Sequence, residues 1–400
     1  MFSTDKAPLN ANPFRSFWMA GYECTDQLNA FGNRVDFVNV TGHLSRIKQD
    51  YRNLSLFNIE TVREGIRWSR VEKRPYEYDW SDVELMMAAA EENNIQQVWD
   101  LCHFGFPDDL TPLHPMFARR FAALCRAFVL FCRSRNAYST LIVTPFNEVS
   151  FISWLGGDVC GTSPYCTDQG WRVKYQMMKA YIEGIEAMKE IDPSVRIMAT
   201  EPLVNIVPPL DADTALIIDT EKKHDDQFQV LDMLSGRICP ELRGRPEYID
   251  IVGCNYYYNN QWEVTTNEYL PWLNEKSDPR WLPPGELMKQ LFERYRRPVV
   301  LSETSHPGDD RASWLGFITD ECCKIIEQGY PLWGVCWYPA IDRPDWDHLA
   351  PWHHAGIWDV DTSDDQLKRT LDLRTAHALH EAQKNLKGYG SENKLLSFHL

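Results

Sequence analysis

Short apolar runs rich in β-branched and aromatic residues recur along the chain, at Phe14–Tyr22, Thr61–Trp68, Gln96–His103, Thr140–Phe146, Arg196–Thr200, Ile249–Tyr257, Pro298–Leu301 and Leu332–Trp337. Each is too short for a helix and reads as a strand buried on both faces. Between most of them lie longer stretches with apolar residues three and four positions apart, among them Trp80–Asn93, Pro115–Ser134, Arg172–Ile191, Gly285–Tyr295 and Ala312–Gln328. That spacing places the apolar side chains on one helical face. The alternation predicts eight βα units, and right-handed crossovers between parallel strands close such units into a (β/α)8 TIM barrel.

The strand ends recur every 35 to 55 residues or so, which assigns loop insertions to the longer gaps. No linker or low-complexity block divides the chain, so the expectation is a single α/β domain over 1–400, with the barrel at about 14–385 and polar tails. A doubly wound open sheet is the alternative architecture. It is disfavoured because no G-x-G-x-x-G follows the first strand and no phosphate-binding loop occurs.

Composition then removes several functions. The chain has 41 Lys and Arg against 57 Asp and Glu, a formal charge of −16, which opposes nucleic acid and anionic membranes as partners. No apolar run approaches the length of a membrane span. The polar start, MFSTDKAPLNANP, lacks the pattern of a secretory signal, and the expected location is the cytoplasm. Eleven cysteines at irregular spacings read as reduced thiols, Cys160 and Cys166 included. Fifty aromatic residues, 15 Trp, 17 Tyr and 18 Phe, suit either a core or a carbohydrate cleft.

Barrel chemistry sits where strands end and the following loops converge. After the fourth run come Asn147 and Glu148, and after the seventh Ser302 and Glu303. A lone Glu in such a place is usually a solvated loop residue, but two facing carboxylates allow glycoside hydrolysis with retention. Glu148 would then be the acid/base and Glu303 the nucleophile. Other runs end in His103, in Arg63 and Arg67, in Asn255, Tyr256 and Tyr257, and in Trp337. Glu201, after the fifth run, is a third carboxylate and a substrate-contact candidate.

On these residues the chain resembles the clan A glycoside hydrolases, most closely the family-one β-glucosidase and β-galactosidase group, as a divergent branch. F-N-E at 146–148 is similar to that family's T-F-N-E-P, and L-S-E-T at 301–304 to its I-T-E-N-G. D-I-V-G-C-N-Y-Y at 250–257, R-W-S-R at 67–70 and C-H-F-G-F-P at 102–107 match further signatures, with His43 before the first helix. The resemblance implies that Asn147 donates to the sugar 2-hydroxyl and that Tyr257 and Arg63 hold the nucleophile. It implies a sugar subsite shaped by Gln27, His103, Asn255, Trp337, Asp345 and Trp346. An apolar surround from Phe146, Phe151 or Trp154 would keep Glu148 protonated.

The chain departs from the family at Val149, Thr304, Ser305 and Phe104, all in the pocket wall. Arg343 leaves a 6-phosphate on the sugar open. Trp262, Trp272 and Trp281 are candidates for a stacking wall. No cofactor and no metal ion are expected, since His353 and His354 are adjacent and no chelating spacing occurs. The expected activity is a retaining β-glycosidase acting on a small carbohydrate or glycoconjugate. A transglycosidase with the same residues and a catalytically silent sugar-binding barrel are the alternatives. The sequence leaves the oligomeric state open, a homo-oligomer included.

Overall fold

The computed structural model describes residues 11–136, 139–273, 278–363 and 366–390; most of both expected polar tails lies outside them. Eight strands form a closed barrel: β1 Trp18–Gly21, β2 Thr61–Gly65, β3 Gln96–Asp100, β4 Ile142–Thr144, β5 Arg196–Pro202, β6 Ile251–Asn255, β7 Val299–Thr304 and β8 Leu332–Trp337. Every neighbouring pair is parallel, and β1 pairs with both β2 and β8. The expected (β/α)8 barrel is the observed one.

Each strand lies within or beside the run that predicted it. The ends differ for a physical reason: β1 starts at Trp18, four residues into its run, because the preceding Asn12–Arg15 segment bonds to side chains and carbonyls at the barrel's lower rim. Helices Ser81–Glu92, Phe117–Arg135, Gly170–Ile191, Pro284–Tyr295 and Arg311–Glu327 match the periodic stretches to within two residues. The β4–β5 gap holds an extra helix, Val149–Gly157, ahead of Gly170–Ile191. The β5–β6 gap holds a short strand, Asn205–Val207, that pairs with Gln261–Glu263 beyond β6.

Two apolar layers result. Met19, Val98, Ile142, Met198, Ile251, Val300, Trp333, Cys336 and Tyr338 cluster together, drawn from every barrel strand but β2 and from the residue after β8. At the register position beside Val98, β2 carries Arg63 instead. The larger layer lies between strands and helices. His43 belongs to that outer region: it stacks on Tyr22 at 3.9 Å and bonds to Asp50 and Glu64 at 2.8 and 2.9 Å, which ties helix His43–Asn53 to β2. Among the described residues no helix is long and apolar enough to cross a membrane.

Gly21, the last residue of β1, admits the Tyr338 ring; a methyl group there would lie 2.0 Å from its Cδ2. Gly21→Ala is therefore expected to destabilise the fold by about 1–3 kcal/mol through overpacking. Urea unfolding followed by tryptophan fluorescence checks it; an unchanged midpoint would show that the ring moves aside freely.

Candidate active site

Arg63 lies at the centre of the C-terminal mouth and is 2% exposed. Its Nη1 donates to Glu303 Oε1 at 2.6 Å and to the Ser302 carbonyl at 3.1 Å. Nη2 donates to Asn147 Oδ1 at 2.7 Å, and the Asp100 carboxylate takes Nε at 3.1 Å and pairs with Nη2 at 2.8 Å. A guanidinium offers five donors in a rigid fork, so one side chain fixes three strand ends at once. Burial opposes charge on Arg63, but Asp100 and Glu303 outweigh it and hold the side chain as a cation.

Glu303 is 5% exposed, and its second oxygen accepts the Tyr257 hydroxyl at 2.8 Å. Both carboxyl oxygens thus face donors. Glu148 has a different environment. Burial, then the charge of Glu303, pushes its carboxyl well above the usual range, with Glu201 adding to the effect and the Asn255 amide, 2.8 Å from Oε1, opposing it. Its backbone is left-handed, with φ 47° and ψ 62°, a conformation that costs a non-glycine residue roughly 1–2 kcal/mol. Such strain persists only where surrounding structure imposes it. Here Glu201 on β5 accepts the N–H groups of Val149 and Ser150 at 2.6 and 3.1 Å, pinning the turn immediately after Glu148.

Asn147 is oriented without ambiguity. Its Oδ1 receives Arg63, the Thr200 hydroxyl at 3.0 Å and Asn255 at 3.2 Å, so Nδ2 is the group 3.1 Å from His103 Nε2. With His103 Nδ1 on Asp100 at 2.9 Å, the proton sits on Nδ1 and Nε2 accepts from Asn147. One Nδ2 hydrogen of Asn147 is then left for another acceptor.

The structure therefore joins Arg63, His103, Asn147, Glu148, Asn255, Tyr257 and Glu303 in one hydrogen-bonded set. Two residues expected to touch substrate have their polar atoms engaged by neighbouring side chains and backbone. Asn255 is fully buried, its Nδ2 engaged by Glu148 and Asn147 and its Oδ1 by Ser302 at 2.6 Å. Glu201 is enclosed against the helix end, and burial raises its carboxyl to about 7.

Trp337 is packed in the outer layer, its indole N–H on the Ala355 carbonyl at 3.0 Å, because the side chain that turns inward after β8 is Tyr338. The Tyr338 ring stacks parallel to His103 at 5.7 Å and lies 5.5 Å from the Arg63 guanidinium. Gln27 is buried in the loop after β1 with Oε1 unpartnered, and among the described residues no hydrogen bond joins it to either glutamate. Asp345 accepts the N–H groups of Asp347 and His348 and closes its own turn.

Trp346 packs against Phe104 and Phe151 at 5.5 and 5.9 Å, and half-exposed Trp154 extends this aromatic group from Phe151. Phe146 packs on Phe121 and Tyr181, on the helix side of β4. Trp272 and Trp281 pack against helix Arg311–Glu327 through Phe317.

Three site residues escaped the sequence reading. Glu23, two positions beyond β1, pairs with Arg343 Nε at 2.9 Å and lies 3.9 Å from His103 Nε2. Burial works against its charge, but Arg343 and the hydrogen bonds from Thr25 bring its carboxyl below the usual value. Asp100 and Tyr338 are the others. A carboxylate at the end of the first run and another inside the third were signals of the kind that identified Glu148 and Glu303.

No protein-family profile and no curated protein matches the chain. Solved structures do. The β-glucosidase from Thermotoga maritima in complex with glucoimidazole is 18% identical, with TM-score 0.72, over 86% of this chain and 88% of that one. The family 1 β-glucosidase from the same organism gives TM-score 0.74 at 17% identity over 94% and 99%. The β-glycosidase from Pyrococcus horikoshii gives 0.70 at 18% over 88% of each chain. At these identities the likeness establishes the shared barrel.

Because the charge of Glu303 helps to raise Glu148, Glu303→Gln is expected to bring the Glu148 carboxyl down toward the ordinary range. The Glu201 titration, near 7, should stay in place. Carboxyl carbon NMR on glutamate-labelled protein reads both. A Glu148 titration that does not move would show that the two groups are uncoupled.

Proposed function

We propose that this protein is a retaining β-glycosidase that hydrolyses small β-glycosides by double displacement. The observation that carries the reading is the contrast between two glutamates in one mouth. Glu303 faces a cation and a phenol donor, while burial and Glu303 itself push the Glu148 carboxyl upward. Retaining hydrolysis requires that division between a nucleophile and a proton donor. The likeness to β-glucosidase structures supports the same class.

In the proposed first step Glu303 attacks the anomeric carbon. Glu148 gives its proton to the departing oxygen, and a glycosyl ester forms as the glycosidic bond breaks. Esterification removes the negative charge of Glu303, so the second of the two causes that raised Glu148, after burial, is gone and the ionised Glu148 becomes able to take a proton. Water, activated by Glu148, then opens the ester and restores both groups. The free Nδ2 hydrogen of Asn147 suits the sugar 2-hydroxyl, where hydrogen bonds strengthen as oxocarbenium character develops. Tyr257 stays protonated through burial and the nearby Glu303, so it remains a donor. Phe104, Phe151 and Trp346 supply an apolar wall for the sugar or its leaving group.

Activity should fall as pH rises through the raised Glu148 titration, because only its protonated form can assist departure. Aryl β-glucosides and β-galactosides with azide test the two roles separately. Glu148→Ala should lose roughly 10²–10⁴-fold on substrates with poor leaving groups and yield a β-glycosyl azide. Glu303→Ala should lose turnover and, with azide in place of the missing carboxylate, yield an α-glycosyl azide from activated aryl β-glycosides by a single inverting displacement. Transfer to an added alcohol in preference to water would favour the transglycosidase reading. Wild-type protein no more active than Glu303→Ala would favour a silent sugar-binding barrel.

A further inference from the structure

Beyond the carboxylate pair, three side chains converge beneath the loop that follows β8. Asp342 opens that loop, His354 closes it, and Asp359 sits on the short strand Trp358–Val360. Their ligand atoms all lie within 4.8 Å of one another. His354 Nδ1 is 3.3 Å from Asp359 Oδ1 and 3.8 Å from Asp342 Oδ2. We propose that Asp342, His354 and Asp359 form a structural binding site for a divalent cation of the zinc type.

The independent observation is Asp342. Its residue is fully buried, Oδ1 accepts the Ala355 N–H at 3.1 Å, and Oδ2 has no hydrogen-bond partner although it faces the cluster. A buried carboxylate oxygen without a donor is costly, and a cation relieves that cost. The spacing also fits. Bonds of about 2.0–2.1 Å in a tetrahedron set ligand atoms about 3.3–3.4 Å apart; the His354–Asp359 distance already matches, the His354–Asp342 distance needs a shift of a few tenths of an ångström, and the two aspartate oxygens, within 4.8 Å of each other, close by at most about 1.5 Å around the ion.

Charge points the same way. Arg311 bonds Asp359 at 2.8 Å and pairs with Asp372 at 3.3 Å. One guanidinium thus serves two carboxylates, and among the described residues no hydrogen bond or ion pair joins it to Asp342. The Arg311 bond also orients Asp359, as a partner behind a metal ligand does. His354 is 57% exposed, which leaves an entry path and room for water as a fourth ligand. The sequence reading expected no metal because it weighed His353 and His354 as a pair; the fold uses His354 alone, with aspartates from either end of the loop.

The site would clip the neck of the segment 343–353, which carries Arg343 to Glu23 and Trp346 to the aromatic wall. Closing that loop removes freedom from the segment and steadies both residues. The reading does not depend on the glycosidase assignment, since it concerns binding and stability.

Protein stripped with a chelator and desalted is titrated with zinc chloride by calorimetry and, in parallel, with cobalt chloride by absorption. One equivalent should bind, raise the melting temperature, and give cobalt ligand-field bands without thiolate charge transfer. His354→Ala, at an exposed position, should leave the melting temperature of the chelated protein unchanged, weaken binding at least tenfold and abolish the rise in melting temperature on adding metal. Asp342→Asn should do the same if it folds. No saturable binding, binding untouched by His354→Ala, or thiolate bands would overturn the proposal.

Discussion

The mouth of this barrel depends on one buried cation. Arg63 occupies a place in β2 where the other strands carry apolar side chains, and its fork binds Asp100 on β3, Asn147 beyond β4 and Glu303 on β7. A buried guanidinium is tolerable only with its partners in place, and removing one partner of such a pair typically costs about 3–5 kcal/mol. The same bonds that satisfy Arg63 therefore fix the relative positions of groups far apart in sequence. Asp100 passes the constraint on to His103, and His103 to Asn147.

A second constraint holds the opposite wall. Glu201 fastens the first turn of helix Val149–Gly157, and Asn255 bonds the Glu148 carboxyl directly. Together they keep Glu148 in its left-handed backbone conformation. The two glutamates thus stand on separately braced supports that share Asn147 and Asn255. On the proposed reading this separation lets one carboxyl serve as proton donor beside another that serves as nucleophile.

Much of this was legible in the sequence. Eight buried strands and their intervening amphipathic helices follow from periodicity alone, because a strand covered on both faces must be apolar throughout and a helix on one face only. Glu148 and Glu303 were visible because strand ends in this architecture face one mouth. What the sequence concealed was direction. Trp337 and Tyr338 are adjacent, and only the barrel's geometry shows that Tyr338 turns toward His103 while Trp337 enters the helical layer. Asn255 and Glu201 looked like substrate contacts since nothing local shows that their polar atoms are already engaged. Glu23 and Arg343 are separated by most of the chain, so their ion pair appears only once the barrel closes.

The central claim is that Glu303 forms a covalent bond with the sugar. Incubation with 2-deoxy-2-fluoro β-glycosides bearing good leaving groups, followed by intact-mass measurement and peptide mapping, tests it directly. The account predicts a stable adduct of one fluorosugar on the peptide containing Glu303, absent from Glu303→Ala. An adduct on a different carboxylate, or turnover of unmodified glycosides with inversion at the anomeric carbon, would contradict it.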